Sequence, residues 1–363
     1  MKKIFLALAA VAALASCSKS DIEYEEGNVE IAFSPVTENI TKTMITDTDG
    51  KFPTTESFNV WAWYKQLPAT DTNIEKWQKD QTDNQPYIVN KTFSKKVSNS
   101  AWSGKDAAYY WPKLGSLMFA GYYPSTLAGS VSYTLKNSTV EGENVTVRGE
   151  NKMVFTDIWQ ANVSTQAVGQ PKNYEEDIMY FNMTKVSHSS GPVSVIFKHA
   201  LSWITVNVKK SSEFPKIVID EIKFTKVNDM GTGTVDNTVD NAEIVWETKD
   251  TEEHNNAETV FGRNEELGTE FKTLIEPLFI PQVMLGDMVI KYTIFSSDTE
   301  FFTETYTAPL NGFKATGETE NLSKWEPAKH YTYNIEIGTS EIYIAPKVDP
   351  WKEVEVPVET LKK

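Results

Sequence analysis

The sequence predicts an all-β protein made of two β-sandwich domains in tandem. Three observations carry that expectation. Short segments alternate apolar and polar residues with a period of two, are rich in β-branched and aromatic residues, and are separated by clusters of Gly, Asn, Asp and Ser. Long helical periodicity is nearly absent; only residues 71–80 (DTNIEKWQKD) place Ile74 and Trp77 at helical spacing, enough for about two turns. The chain has 363 residues, long for one domain and suited to two. Many short strands with turn signals between them and few helices are the pattern of packed sheets.

The first sixteen residues are a leader. Lys2 and Lys3 precede the apolar run 4–14 (IFLALAAVAAL), and Ala15 and Ser16 are small: basic end, apolar middle, cleavable close. The apolar run falls well short of the roughly 20 residues a spanning helix needs. Leu14-Ala-Ser-Cys17 resembles the bacterial lipobox, and Cys17 is the only cysteine of the chain. On that resemblance Cys17 becomes the mature N-terminus and carries lipid. With no second cysteine, the protein holds its core without disulfides, which a chain of this size can do. Residues 17–27 form an acidic, polar tether with little to bury.

The first domain is expected over residues 28–190. Residues 28–34 (NVEIAFS) put Val29, Ile31 and Phe33 on one face, and residues 58–64 (FNVWAWY) put Phe58, Val60, Ala62 and Tyr64 on one face with Trp61 and Trp63 on the other. Pro112 and Pro124 end aromatic-rich strands. A boundary falls at residues 187–192 (SHSSGP), where polar residues and Gly-Pro precede strong strands. The second domain, 191–363, begins with strands at 193–197, 203–209 and 217–224 and continues with 288–295, 301–306 and 331–337. Residues 229–241 and 249–263 read as long loops on it. The tail 352–359 (KEVEVPVE) turns Val354, Val356 and Val358 one way and its glutamates and Pro357 the other.

Charge and motif content exclude several functions. The formal net charge is −15, with 35 Lys and Arg against 50 Asp and Glu, which opposes nucleic-acid binding and electrostatic docking on anionic lipid. None of the four histidines (His188, His199, His254, His330) has a second ligand at metal spacing, no G-x-S-x-G elbow occurs, and Gly231-Thr-Gly233-Thr lacks the third glycine of a phosphate fingerprint. The last reads as a hairpin loop, and His199 as a packed, hydrogen-bonded residue. The paired carboxylates read as solvated loop residues, and no catalytic residue, metal site or cofactor is expected. The aromatics of the first half (Trp61, Trp63, Trp77, Trp102, Tyr109, Tyr110, Trp111, Tyr122, Tyr123) offer two readings: a sandwich core, or an exposed platform that stacks sugar rings on a monomeric surface lipoprotein.

Taken in order, the lipobox at 14–17, NVEIAFSP (28–35), ITKTMIT (40–46), SFNVWAWY (57–64), AYYWP (108–112), MFAGYYP (118–124), VIFKHALSWITVNVK (195–209), PLFIPQ (277–282), HYTYNIEI (330–337) and VDPW (348–351) resemble the fimbrillin-like pilins of type V pili over almost the whole chain. The resemblance implies two transthyretin-like sandwiches. It implies export as a lipoprotein to the outer membrane through lipid on Cys17, and removal of an N-terminal segment by an Arg- or Lys-specific protease. It also implies strand-exchange assembly with other pilin subunits into an adhesive cell-surface fimbria, and a host or glycan receptor.

Elementary physics supports such an assembly. A sandwich that loses a strand exposes an apolar groove and unpaired backbone, which a neighbour's extended segment can fill. The strand to be lost is 28–34. The expected cut follows Lys42, with Lys51 (DGKFP) as second choice; the alternative is that both are ordinary surface lysines, and no arginine precedes Arg148, a departure from an Arg-specific pattern. The donor is the tail: burying Val354, Val356 and Val358 would contribute about 5–8 kcal/mol before ordering costs. The alternative is an edge strand kept within its own domain.

Overall fold

The computed structural model describes residues 29–37, 52, 54–65, 85–96, 101–112, 116–135, 151–159, 177–187, 191–211, 216–238, 242–249, 259–295, 301–338 and 342–350. Among them most residues lie in strands and none in an α-helix, as the alternation requires. The first half runs β1 (Ala32–Thr37), β2 (Ser57–Lys65), β3 (Gln85–Lys95), β4 (Trp102–Gly104), β5 (Ser116–Tyr123), β6 (Val131–Leu135), β7 (Asn151–Trp159), β8 (Met179–Ser187) and β9 (Val193–His199). There follow β10 (Ser202–Lys210), β11 (Lys216–Phe224), β12 (Met230–Asp236), β13 (Ile244–Thr248), β14 (Thr259–Glu266), β15 (Lys272–Ile275) and β16 (Leu278–Phe279). The chain closes with β17 (Asp287–Phe295), β18 (Phe301–Pro309), β19 (Lys329–Ile337) and β20 (Ile342–Pro350). Among the described residues no helix is long and apolar enough to cross a membrane. The 71–80 segment lies outside them.

Seven strands close a barrel in the order β1-β4-β3-β2-β5-β8-β9. The seam is β1, parallel to β9 from Phe33↔Val193 to Thr37↔Phe197 and antiparallel to β4 at Ala32↔Ser103 and Phe33↔Trp102. The interior is aromatic: Phe33, Phe58, Phe93, Trp102, Trp111, Phe119, Phe181 and Phe197 pack there with Ile31, Val60 and Val195. β9 alternates cleanly because its outer face is solvated, whereas every residue of β5 is buried. The cause is a second layer. A four-stranded sheet, β13-β12-β7-β6, lies over the outer face of β2 and β5 and buries Trp61, Trp63, Ala120 and Tyr122 against Met153, Phe155, Val235 and Ile244.

That covering sheet draws β6 and β7 from one half of the chain and β12 and β13 from the other, joined at Val235↔Met153 and neighbouring pairs. Residues 229–241, expected as a loop, therefore contain a strand, and Gly231 and Gly233 belong to it rather than to a hairpin tip. Their glycines are a packing requirement: a Cβ on Gly233 would stand 2.7 Å from Ile244 Cδ1 and 3.1 Å from the Trp246 ring. The Trp246 indole N–H in turn donates to the Ala200 carbonyl at 2.8 Å. Residues 259–266, expected in part as loop, form β14.

The remaining strands make a sandwich. One sheet runs β15-β10-β19-β20 with β16 also on β10, and the other β14-β11-β17-β18. Ile204, Val206 and Val208 of β10, parallel to β19, face Ile217, Ile219 and Ile222 of β11 across a core that also holds Phe224, Phe279, Trp325 and Tyr333. Residues 187–192, expected to part the domains, lie in the chain between two barrel neighbours, β8 and β9, since Met179 pairs with His199 and Tyr180 with Lys198. The chain leaves the barrel at Ala200 and Leu201, beyond the expected 190/191 boundary.

Candidate functional site

The seat of β1 is the feature on which the sequence-derived function turns. The inward positions Ile31, Phe33, Pro35 and Thr37 are buried, while Ser34 and Val36 face out beside β9. The period-two alternation of this stretch thus acts as expected, one face into the barrel and one to solvent. Before β1 proper, the Ile31 N–H donates to the Tyr109 carbonyl at 2.7 Å and the Trp111 N–H to the Val29 carbonyl at 3.0 Å. β1 is therefore hydrogen-bonded along both edges, by β9 on one side and by β4 and residues 109–111 on the other.

Phe33 is 0% exposed and meets four rings. Its centroid lies 4.9 Å from Phe93, 5.2 Å from Phe119 and 5.9 Å from Phe58, all edge-on at 76–88°, and 6.4 Å from Phe181. Edge-to-face contacts of this kind align each ring's positive rim with its neighbour's negative face. Pro35, which has no N–H to donate, is tolerated because β4 extends only as far as Phe33 along that edge.

The link from β1 to β2 touches one residue twice. Thr37 pairs with Phe197, and Phe52, also 0% exposed, stacks on the Phe197 ring at 5.1 Å. Phe52 further packs edge-on against Phe58, Trp102 and Tyr123 at 5.4–5.8 Å. Nearby, the Trp102 indole donates to the Glu56 carbonyl and the Tyr123 hydroxyl to the Glu56 carboxylate. Phe52 escaped notice in the sequence because it stands alone in a polar stretch; the signal was its isolation, a single ring between Lys51 and Pro53.

The other sequence-derived site residues, Cys17, Lys42, Lys51, Val354, Val356 and Val358, lie outside the described residues. Among the described residues no group of three or more His, Cys, Asp and Glu side chains gathers as a metal would need. His199 is packed and hydrogen-bonded, its Nδ1 2.6 Å from Asp177 Oδ2, and both side chains are 1% exposed, so no substrate reaches the pair. His330 is likewise buried, its Nε2 2.8 Å from the Thr205 hydroxyl and its ring stacked on Trp203 at 3.7 Å. Of the aromatics that would form a sugar-stacking platform, Trp61, Trp63, Trp102, Trp111, Tyr122 and Tyr123 are buried, Tyr109 and Tyr110 are half-buried, and Trp77 lies outside the described residues. Burial pushes the Tyr122 phenol up to about 12, its hydroxyl engaged with Asn59 and Asn90 in a polar cluster that Thr92 joins.

A family model described as fimbrillin-like matches residues 41–351, a span that starts after β1 and stops before the valine-rich tail. Solved structures with a similar fold include a fimbrial protein from Bacteroides vulgatus, at a TM-score of 0.57 and 14% identity, covering 89% of this chain and 99% of that one. The tip fimbrial protein Mfa3 from Porphyromonas gingivalis, with a C-terminal truncation, aligns at a TM-score of 0.38 and 8% identity over 82% of this chain and 94% of that one. A comparison with curated proteins gives no match.

Proposed function

Because the chain belongs to the fimbrillin-like family, we propose that it is a non-enzymatic structural subunit of a cell-surface fimbria with a role in adhesion, as stalk, tip or accessory subunit, assembled with other pilin subunits. It is exported as a lipoprotein through Cys17, reaches the outer membrane, and is trimmed there. Trimming removes β1, and a neighbouring subunit's extended segment takes its place. In the same way the tail residues Val354, Val356 and Val358 enter the next subunit in line.

The observation that carries this reading is the seating of β1. It is a single strand, paired along both edges, and its link to β2 leaves from beside Phe197 and returns to that ring at Phe52 before β2 begins at Ser57. While that link is whole, β1 is held at the high effective concentration that a short tether gives, roughly millimolar. Once the link is cut, β1 is an ordinary ligand that a competing strand can displace. Burial of Phe52 also favours Lys42 over Lys51 as the point of cleavage. A protease binds residues on both sides of the bond it cuts in extended form, and the residue after Lys51 is packed among four aromatic side chains.

N-terminal sequencing of protein shed from cells tests the reading. A start at Thr43, together with SDS-resistant ladders that vanish when residues 352–363 are deleted, is the expected result. A chain trimmed at Thr43 that stays monomeric on cells, with its partner subunits present, overturns it.

A further inference from the structure

We propose that the seat of β1 selects a strand carrying an aromatic ring at the position of Phe33, so that the segment completing this barrel in an assembly comes from a different subunit and not from the tail of a second copy. This rests on the strand-exchange reading above and names its partner.

The cage around Phe33 is built by β2, β3, β5 and β8 through Phe58, Phe93, Phe119 and Phe181. Its walls hold one another: Phe58 and Phe93 stack at 6.2 Å and 15°, and Phe58 meets Phe181 edge-on at 6.5 Å. Gly121 leaves the space in which the Phe181 ring lies, since a Cβ there would stand 2.3 Å from Phe181 Cε1 and 2.6 Å from the Asn59 carbonyl oxygen. A cage whose rings are fixed by each other and by backbone cannot shrink around a smaller side chain, so an undersized occupant leaves a void. The inward positions on either side are smaller, Ile31 before and Pro35 after. The seat therefore reads aliphatic, then aromatic, then small, at alternate residues.

The chain's own tail does not match. At the parity of its valines it carries Lys352, Val354, Val356, Val358, Thr360 and Lys362, with no ring among them. Every register that turns the valines inward therefore puts a valine, a threonine or a lysine in the cage, and valine is the largest apolar choice. The opposite parity offers the ring of Trp351 but sets Glu353 at the neighbouring buried position, whichever way the strand runs. A valine in place of Phe33 gives up part of the buried apolar area and three edge-on ring contacts, an expected loss of about ten- to a hundredfold in affinity.

The test uses the chain from residue 18 onward with a specific protease site inserted after Thr43. The nicked protein is challenged with three peptides: residues 29–37, the same peptide with Phe33→Val, and residues 352–363. Displacement of the nicked β1 is followed by native mass spectrometry. The expected result is that the first peptide competes at least tenfold better than either of the others. If the tail peptide or the Phe33→Val peptide competes equally well, selectivity is overturned while strand exchange stands. If no peptide enters, strand exchange itself fails and selectivity with it. A second measurement needs no exchange: Phe33→Val in the uncut chain should speed hydrogen exchange at β9 amides about ten- to a hundredfold, and unchanged protection there overturns the proposal.

Discussion

Replacing Phe33 by alanine should destabilise the barrel by about 4–5 kcal/mol. Truncating a fully buried phenylalanine costs about 3–5 kcal/mol, as lost transfer energy plus the void that remains. Phe33 sits at the upper end for two reasons. It makes three edge-on ring contacts, each worth about 0.5–1.5 kcal/mol beyond area in favourable cases, and those terms overlap rather than add. Its cage, pinned by ring-on-ring stacking and by the close approach of Phe181 to Gly121, has little freedom to collapse into the space. Guanidinium denaturation of the chain lacking its lipid leader gives the overall loss. Because the described residues form three hydrophobic cores, the measurement is paired with hydrogen exchange at β9 amides, which separates the barrel from the C-terminal sandwich. A loss below about 1 kcal/mol, the level of an ordinary surface change, would mean that β1 is not packed in the barrel, and the seat described above would disappear with it.

Two further outcomes are expected. Gly286→Ala should cost about 3 kcal/mol or more in thermal or denaturant unfolding, since its Cβ would fall 1.5 Å from the Thr225 backbone oxygen, and a Thr225 that hydrogen-bonds Asp287 through both its backbone and its hydroxyl has nowhere to go; a neutral variant would refute the close approach. His330, held down to about 4 by burial first and by the Lys347 charge second, stays neutral in the folded state where the unfolded chain would already be protonated. Its contribution is therefore complete above pH 6.5 and is lost progressively as the pH falls to 4, about 3 kcal/mol in all. Asp349, opposite His330 across the ladder, pairs with Lys347 and moderates that charge. His330→Gln should flatten this part of the stability profile between pH 7 and 4, and an unchanged slope would show that another group sets it.

Period-two alternation is a local property, written into each segment by its own residues, and so the sequence alone determined the all-β class, the inward face of β1 at Ile31 and Phe33, and the split of Phe58, Val60 and Ala62 from Trp61 and Trp63. For the aromatics it left two readings open, a core and an exposed platform. What covers the outer face of a strand is not local. Trp61 and Trp63 are buried because β12 and β13 return from residues 230–248 to lie over them, and a Gly-Thr-Gly-Thr stretch gives no sign of that when read by itself. Likewise the assignment of β9 to the barrel is made by pairing with β1, from Phe33↔Val193 onward, and no turn signal at 187–192 competes with a complete ladder of backbone bonds. Phe52 and the His199–Asp177 pair are the same case on a smaller scale: a ring in a polar loop and two polar residues apart in the chain acquire meaning only from what surrounds them. Alternation tells which way a side chain points; only the assembled sheets decide what it meets there.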